Sequence, residues 1–100
     1  MEPEQELSFE AELWLYSAAK ASWHFITVPA EVSHRIRFFA GTSKGFGSIR
    51  VRARIGDSVW STSLFPHKAS GCYFLPVKAD VRKAQSITTG DRVKVELSIG

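Results

Sequence analysis

Ser63 and His67, with Asp57 or Asp80 as a third group, are the residue types of a nucleophile, a base and an orienting acid. Their spacing does not assemble that set. No nucleophile-elbow motif surrounds Ser63, and a serine, a histidine and an aspartate occur in almost any domain. No catalytic residue is assigned. His24, His34 and His67 are not at metal-ligand spacing, and Cys72 is the one cysteine, so no metal site is expected. Gly45-Phe46-Gly47 lacks the third glycine and the helix of a dinucleotide fingerprint, and no phosphate loop occurs, so no cofactor is expected.

What remains is binding chemistry. Arg50, Arg52 and Arg54 alternate with apolar residues, which on a strand sets guanidinium groups about 7 Å apart on one face. With Arg82, Lys83, Arg92 and Lys94 they make a candidate basic stripe for nucleic acid or another polyanion. The plainer reading is a solvated strand face, partly paired with Glu10, Glu12 or Glu96. The chain is also rich in rings, with 3 Trp, 2 Tyr and 7 Phe. These could stack bases or line an apolar pocket, but packing in the core or at its rim is the expectation for each. Trp60 is the expected exception, because Ser61, Thr62 and Ser63 follow it with hydroxyls. The alternative site is therefore a small-molecule pocket of Trp60, Ser61, Ser63 and His67.

The elements that would carry these residues are read from periodicity. Phe9, Ala11, Leu13 and Leu15 alternate with Glu10, Glu12, Trp14 and Tyr16 as a half-buried strand requires. Ser17 to Ser22 reads as a small-residue connection and Trp23 to Val28 as a second strand, closed by Pro29. Val32, Ile36, Phe39 and Ala40 share one face of a helix ended by Gly41, and Gly45-Phe46-Gly47 forms a turn. Ile49 to Ile55 and Ser58 to Phe65 form a hairpin through Gly56-Asp57. Pro66 to Gly71 is a loop, Cys72 to Val77 a strand, Ala79 to Ala84 a helix, and inward Val93, Val95, Leu97 and Ile99 mark a closing strand.

Two stretches repeat. The segment from Phe25 to Val32 recurs from Phe74 to Val81, and that from Ile49 to Gly56 recurs from Val93 to Gly100, with 7 of 16 positions identical. Average composition gives about one chance identity in that length. Each unit supplies strand, helix and strand in the same order. The fold class expected is mainly β: a six-stranded double-split barrel of two repeated units capped by two short helices, which hides its strand edges.

At 100 residues the chain is one domain, folding to bury roughly two thirds of its unfolded surface. Residues 1–6 read as a disordered acidic tail and 7–100 as the barrel. Net charge is +3, from 13 basic and 10 acidic side chains, so anionic partners fit. One cysteine, an acidic N-terminus and the lack of a long apolar run point to the cytoplasm and away from membranes. A monomer is expected, with a dimer through a strand edge as the alternative.

Four ordered motifs carry a family resemblance: Trp23-x-Phe25-Ile26-x-Val28-Pro29, Gly45-Phe46-Gly47-Ser48-Ile49-Arg50-Val51, Trp60-x-Thr62-Ser63-Leu64-Phe65-Pro66, and Tyr73-Phe74-Leu75-Pro76-Val77-Lys78-x-x-Val81-Arg82-Lys83. Across Leu7 to Ile99 the chain resembles the prokaryotic domain of unknown function number nineteen-oh-five. The resemblance implies a double-split barrel related in fold to swapped-hairpin proteins of the AbrB and MazE type, and implies no established activity. A second resemblance, to those swapped-hairpin regulators, implies that Arg82-Lys83 contacts DNA phosphates; Ser33-His34 stands at the corresponding place of the first unit. The functional expectation is thus a non-catalytic binding module for anions or nucleic acid through Arg82, Lys83, Arg50, Arg52 and Arg54. The alternative is a small-molecule barrel or minor enzyme with its pocket near Trp60.

Overall fold

A 14-residue first strand is what closes the molecule on itself. In a computed structural model, residues 5–40 and 47–99 are described, as β1 (Gln5–Ala18), β2 (Ala21–Thr27), α1 (Ala30–Ala40), β3 (Ile49–Ile55), β4 (Ser58–His67), β5 (Cys72–Pro76), α2 (Ala79–Gln85) and β6 (Arg92–Ile99). The N-terminal half of β1 pairs with β6, and from Leu13 onward its partner is β2. Backbone bonds from the Leu13 N–H to the Asp91 carbonyl at 2.9 Å and from the Gly90 N–H to the Leu13 carbonyl at 2.8 Å mark the crossing. β4 does the same on the far side, pairing with β3 up to Leu64 and with β5 from Phe65. The result is a closed barrel in the order β1-β2-β5-β4-β3-β6, every neighbour antiparallel.

Closure satisfies both edges of every strand, and strand alternation then sends one set of side chains inside. That set is mostly aliphatic: Leu13, Ile26, Ala53, Leu64, Leu75, Val95 and Leu97 are fully buried, and Tyr73 and Trp60 are buried with them. A six-stranded barrel leaves an interior that such side chains fill. Val32 and Ile36 of α1 and Val81 of α2 join this core, while Phe39 stays partly exposed.

The two similar segments meet in register. Ile26 pairs with Leu75, and Ala53 with Leu97, each with the residue it aligns with in sequence. The Val28 N–H donates to the Tyr73 carbonyl and the Val77 N–H to the His24 carbonyl, both at 2.9 Å, so these bonds also match across the two halves.

Several boundaries differ from the sequence expectation. Gln5 and Glu6, placed in the tail, pair with Ile99 and Ser98, because the β6 edge would otherwise lack a partner. The connection from Ser17 to Ser22 is mostly strand: Ser17 pairs with Ser22 and Ala18 with Ala21, leaving a turn of Ala19 and Lys20. Pro66, expected in a loop, lies in β4 opposite Tyr73. Leu15, expected inside, is 45% exposed, since β1 by then has run past the aliphatic core into its hairpin with β2. The hairpin turn at Gly56 forms as expected, with φ of 59° there, the left-handed region that glycine enters without cost. The helix end at Gly41 and the turn at Gly45 and Phe46 lie outside the described residues.

Candidate functional site

The crossings at β1 and β4 divide the outer wall into two faces of opposite chemistry. On the sheet of β3, β6 and the first halves of β1 and β4, the outward residues of β3, β6 and β1 are mostly charged, and β4 sets Val59, Ser61 and Ser63 beside them. Arg50, Arg52 and Arg54 are exposed there, as expected. They do not form an unopposed stripe. Arg54 lies 3.7 Å from the Glu96 carboxylate and donates through Nε to the Gly56 carbonyl, and Arg50 donates to Ser63 Oγ at 3.3 Å. Arg92 pairs with Glu10 at 3.3 Å. A cleft of about 460 Å³ beside Arg52 and Arg54 is also lined by Glu6 and Glu96. Charges of both signs compensate along this face, and its exposed pairs hold little energy each.

The other sheet, β2, β5 and the second halves of β1 and β4, turns rings outward. Trp14 pairs with Phe25, Tyr16 with Trp23, and Phe65 with Phe74. The six rings line an open groove of about 390 Å³. Trp14 stands 5.3 Å from Phe25 and 5.1 Å from Phe74, and its indole N–H donates to Thr27 Oγ1 at 2.9 Å, which fixes the ring. His67 stacks on Phe74 at 4.8 Å and shares a 2.8 Å hydrogen bond with Ser70. Packing in the core or at its rim is the expectation for each ring: Tyr73 and Trp60 are in the core, Trp14, Phe25 and Phe74 are half-buried, and Tyr16, Trp23 and Phe65 are exposed. Alternation along β1, β2, β4 and β5 carries the six groove rings outside, while Tyr73 and Trp60 share the interior with the aliphatic side chains.

Between this groove and α2 lies a second pocket, of about 310 Å³, lined by residues of β2, β4, β5 and α2. Trp23 borders both cavities. Trp60 also lines it: the residue is only 9% exposed and belongs to the core, so the expected exception is a core residue at the pocket's edge. Ser61 and Thr62 offer hydroxyls, and Lys78, Arg82 and His24 supply the nitrogen donors. Arg82 spends its Nε on the Val77 carbonyl at 3.2 Å, which orients the guanidinium; among the described residues its two terminal amino groups have no partner. Burial, and after it the Arg82 charge, hold the His24 pKa below that of an ordinary histidine, so the ring stays neutral at pH 7. No acidic side chain among the described residues lines the pocket or the groove.

Of the residues singled out in the sequence, the structure brings together Arg82, Trp60 and Ser61. It does not add Ser63, which faces Arg50, or His67, which lies against Phe74. Ser63 and His67 are four residues apart on one strand, about 13 Å, too far to act as nucleophile and base. Asp57 instead accepts a hydrogen bond from Gln85. Lys83 is exposed and lines neither cavity. Lys78, His24 and Trp23 were missed as site residues. Their signal was weak in sequence, since a lysine before a helix and a histidine among strand residues are common.

The match to known families now bears on this geometry. Residues 9–97 match the model of a domain of unknown function, DUF1905. The chain belongs to this family. The comparison with curated proteins gives no significant match. All the residues that line the groove and the pocket lie within the matched span.

Proposed function

We propose that this DUF1905 chain is a non-catalytic binding module for anions, nucleic acid among them, working in the cytoplasm. Its binding centre is the pocket between α2 and the strands β2, β4 and β5. The observation that carries this reading is Arg82: a guanidinium oriented by the Val77 carbonyl, opening with Lys78 into a pocket that no acidic side chain lines among the described residues. Such a pair suits phosphate or carboxylate oxygens, and a guanidinium can meet two of them at once. The basic face of Arg50, Arg52 and Arg54 takes a secondary part, because Glu96 and Ser63 already engage two of its members. Cys72 is free and buried, as suits a reducing compartment.

The duplicated unit supports the same reading. Ser33 and Arg82 hold equivalent places, and both bond the carbonyl that ends the preceding strand, Val28 or Val77. In the first unit the neighbouring ring, Tyr73, is 1% exposed beneath Arg37. In the second unit the equivalent His24 faces the open pocket. One half of a repeated scaffold is closed for stability, and the other is left open for a ligand.

The test is fluorescence anisotropy of a labelled single-stranded oligonucleotide at several salt concentrations. Arg82→Ala is expected to weaken binding and to lower the log–log salt slope by about 0.7, the loss of one phosphate contact. Lys83→Ala should leave both unchanged. An unaltered slope in Arg82→Ala would remove the pocket from the claim. A second reading, a small organic anion, draws on Trp60 and the Ser61 and Thr62 hydroxyls. Saturable displacement of the oligonucleotide by a small dicarboxylate would favour it.

A further inference from the structure

Six rings on the outside of a small barrel require an account. Tyr16, Trp23 and Phe65 are 51, 53 and 48% exposed, and exposing apolar rings in a contiguous cluster costs solubility unless something binds there. The neighbours of the cluster indicate what. Trp23 is shared with the cationic pocket of Arg82 and Lys78. On the opposite side, Phe65 is two residues from Ser63 on one face of β4, and Ser63 accepts a hydrogen bond from Arg50. Lys20 occupies the turn that joins the Trp23 and Tyr16 strands. Cations therefore lie near the rings on three sides; Glu12, two residues before Trp14 on the outward face of β1, is the acidic side chain beside them, and Glu6, Glu10 and Glu96 lie farther off on the other sheet.

We infer that the aromatic groove is a base-stacking platform, and that the polyanion bound by this domain is a single-stranded nucleic acid. The inference rests on the anion-binding reading of the Arg82 pocket and adds the class of ligand. A strand whose phosphates run past Arg82, Lys78 and Arg50 turns its bases toward the rings between them. Stacking on aromatic side chains is tolerant of sequence, since every base has a π face. The orientation of the rings suits it. Trp23 and Phe25, alternate residues on one face of β2, lie 14° from parallel with centroids 6.4 Å apart, so they offer near-parallel ring faces to bases along the groove. A duplex cannot use this platform, because its bases are already stacked and paired.

The experiment compares an oligothymidylate, an abasic strand of the same length and charge, and a duplex. Each is titrated into the full chain at low salt, with intrinsic tryptophan fluorescence as the readout. The expected result is quenching by oligothymidylate with affinity about tenfold or more above that of the abasic strand. The duplex should bind no better than the abasic strand. Trp23→Thr and Phe65→Thr, both exposed on strands and replaced by a residue that strands accept, should each shrink the difference between the first two ligands. Equal affinity for oligothymidylate and the abasic strand would overturn the stacking platform while leaving the anion pocket standing. Failure of all three ligands to bind would overturn the anion reading itself. Duplex binding as tight as that of oligothymidylate, or a concentration-dependent dimer that buries Trp23 and is not dispersed by the strand, would overturn single-strand recognition in favour of shape readout or self-association.

Discussion

Arg82 and Ser33 show how one position serves two ends. Each reaches from its helix to the carbonyl that closes the strand before it, at 3.2 and 3.0 Å. Serine is short enough to finish its bonding inside the core, but arginine has donors left over, and these face a pocket. His24 lies within the field of those donors. Burial and the Arg82 charge depress its pKa below about 6.5. The folded state therefore prefers the neutral ring, so the stability that depends on His24 is present above pH 6.5 and declines as pH falls through that value. Lys78 is the other charge lining its pocket. A bound anion opposes both cations and offsets the part of the depression due to charge, leaving the part due to burial. NMR titration of the His24 ring should show a pKa that rises on addition of oligonucleotide, with affinity increasing from pH 7.5 to 6. An unchanged His24 titration in the saturated complex would place the anion elsewhere.

At the scale of elements, α1 is locked to the barrel by Ser33. Its hydroxyl donates to the Val28 carbonyl and accepts the Tyr73 N–H at 3.1 Å, in a fully buried position. Ser33→Ala leaves that N–H unpaired, and a loss of about 1–3 kcal/mol is expected in urea unfolding. A change within 0.3 kcal/mol would mean that the helix is held by Val32 and Ile36 alone. Elements of this kind were largely legible in the sequence. The alternation of Ile49 to Ile55 and the Gly56-Asp57 turn forced a hairpin, and the helix expected from Ala79 to Ala84 forms as Ala79–Gln85. The ends of elements were less legible. The extension of β1 to Gln5 depends on an edge offered by β6, and Pro66 joins β4 because Tyr73 lies opposite, neither of which local residue preferences contain.

For the whole molecule, the division into a charged sheet face and an aromatic one follows from two long strands that change partners, β1 at Leu13 and β4 at Phe65. The basic triplet was legible from sequence because its members alternate on one strand. That acids would oppose it was partly legible too, from Glu10, Glu12 and Glu96. The aromatic groove was not, since its six rings come from four strands and meet only when the barrel order is known. Trp14 and Tyr16 were visible on the polar face of their strand, but nothing in that alternation shows which rings of other strands stand beside them. Placing Trp60 correctly also required the barrel, because its serine-rich neighbours suggest exposure while its register opposite Ala53 buries it.

All three tryptophans of the chain line the groove or the pocket: Trp14 the groove, Trp60 the pocket and Trp23 both. The most direct test of the site is therefore the ¹⁵N spectrum of the three indole N–H groups during titration with a short single strand. If groove and pocket form one binding surface, all three resonances shift and saturate together at the same ligand concentration, with the Arg82 Nε–H among the largest side-chain changes. If the indoles stay in place while Arg50, Arg52 and Arg54 respond, the strand binds the charged sheet and the proposed site is wrong.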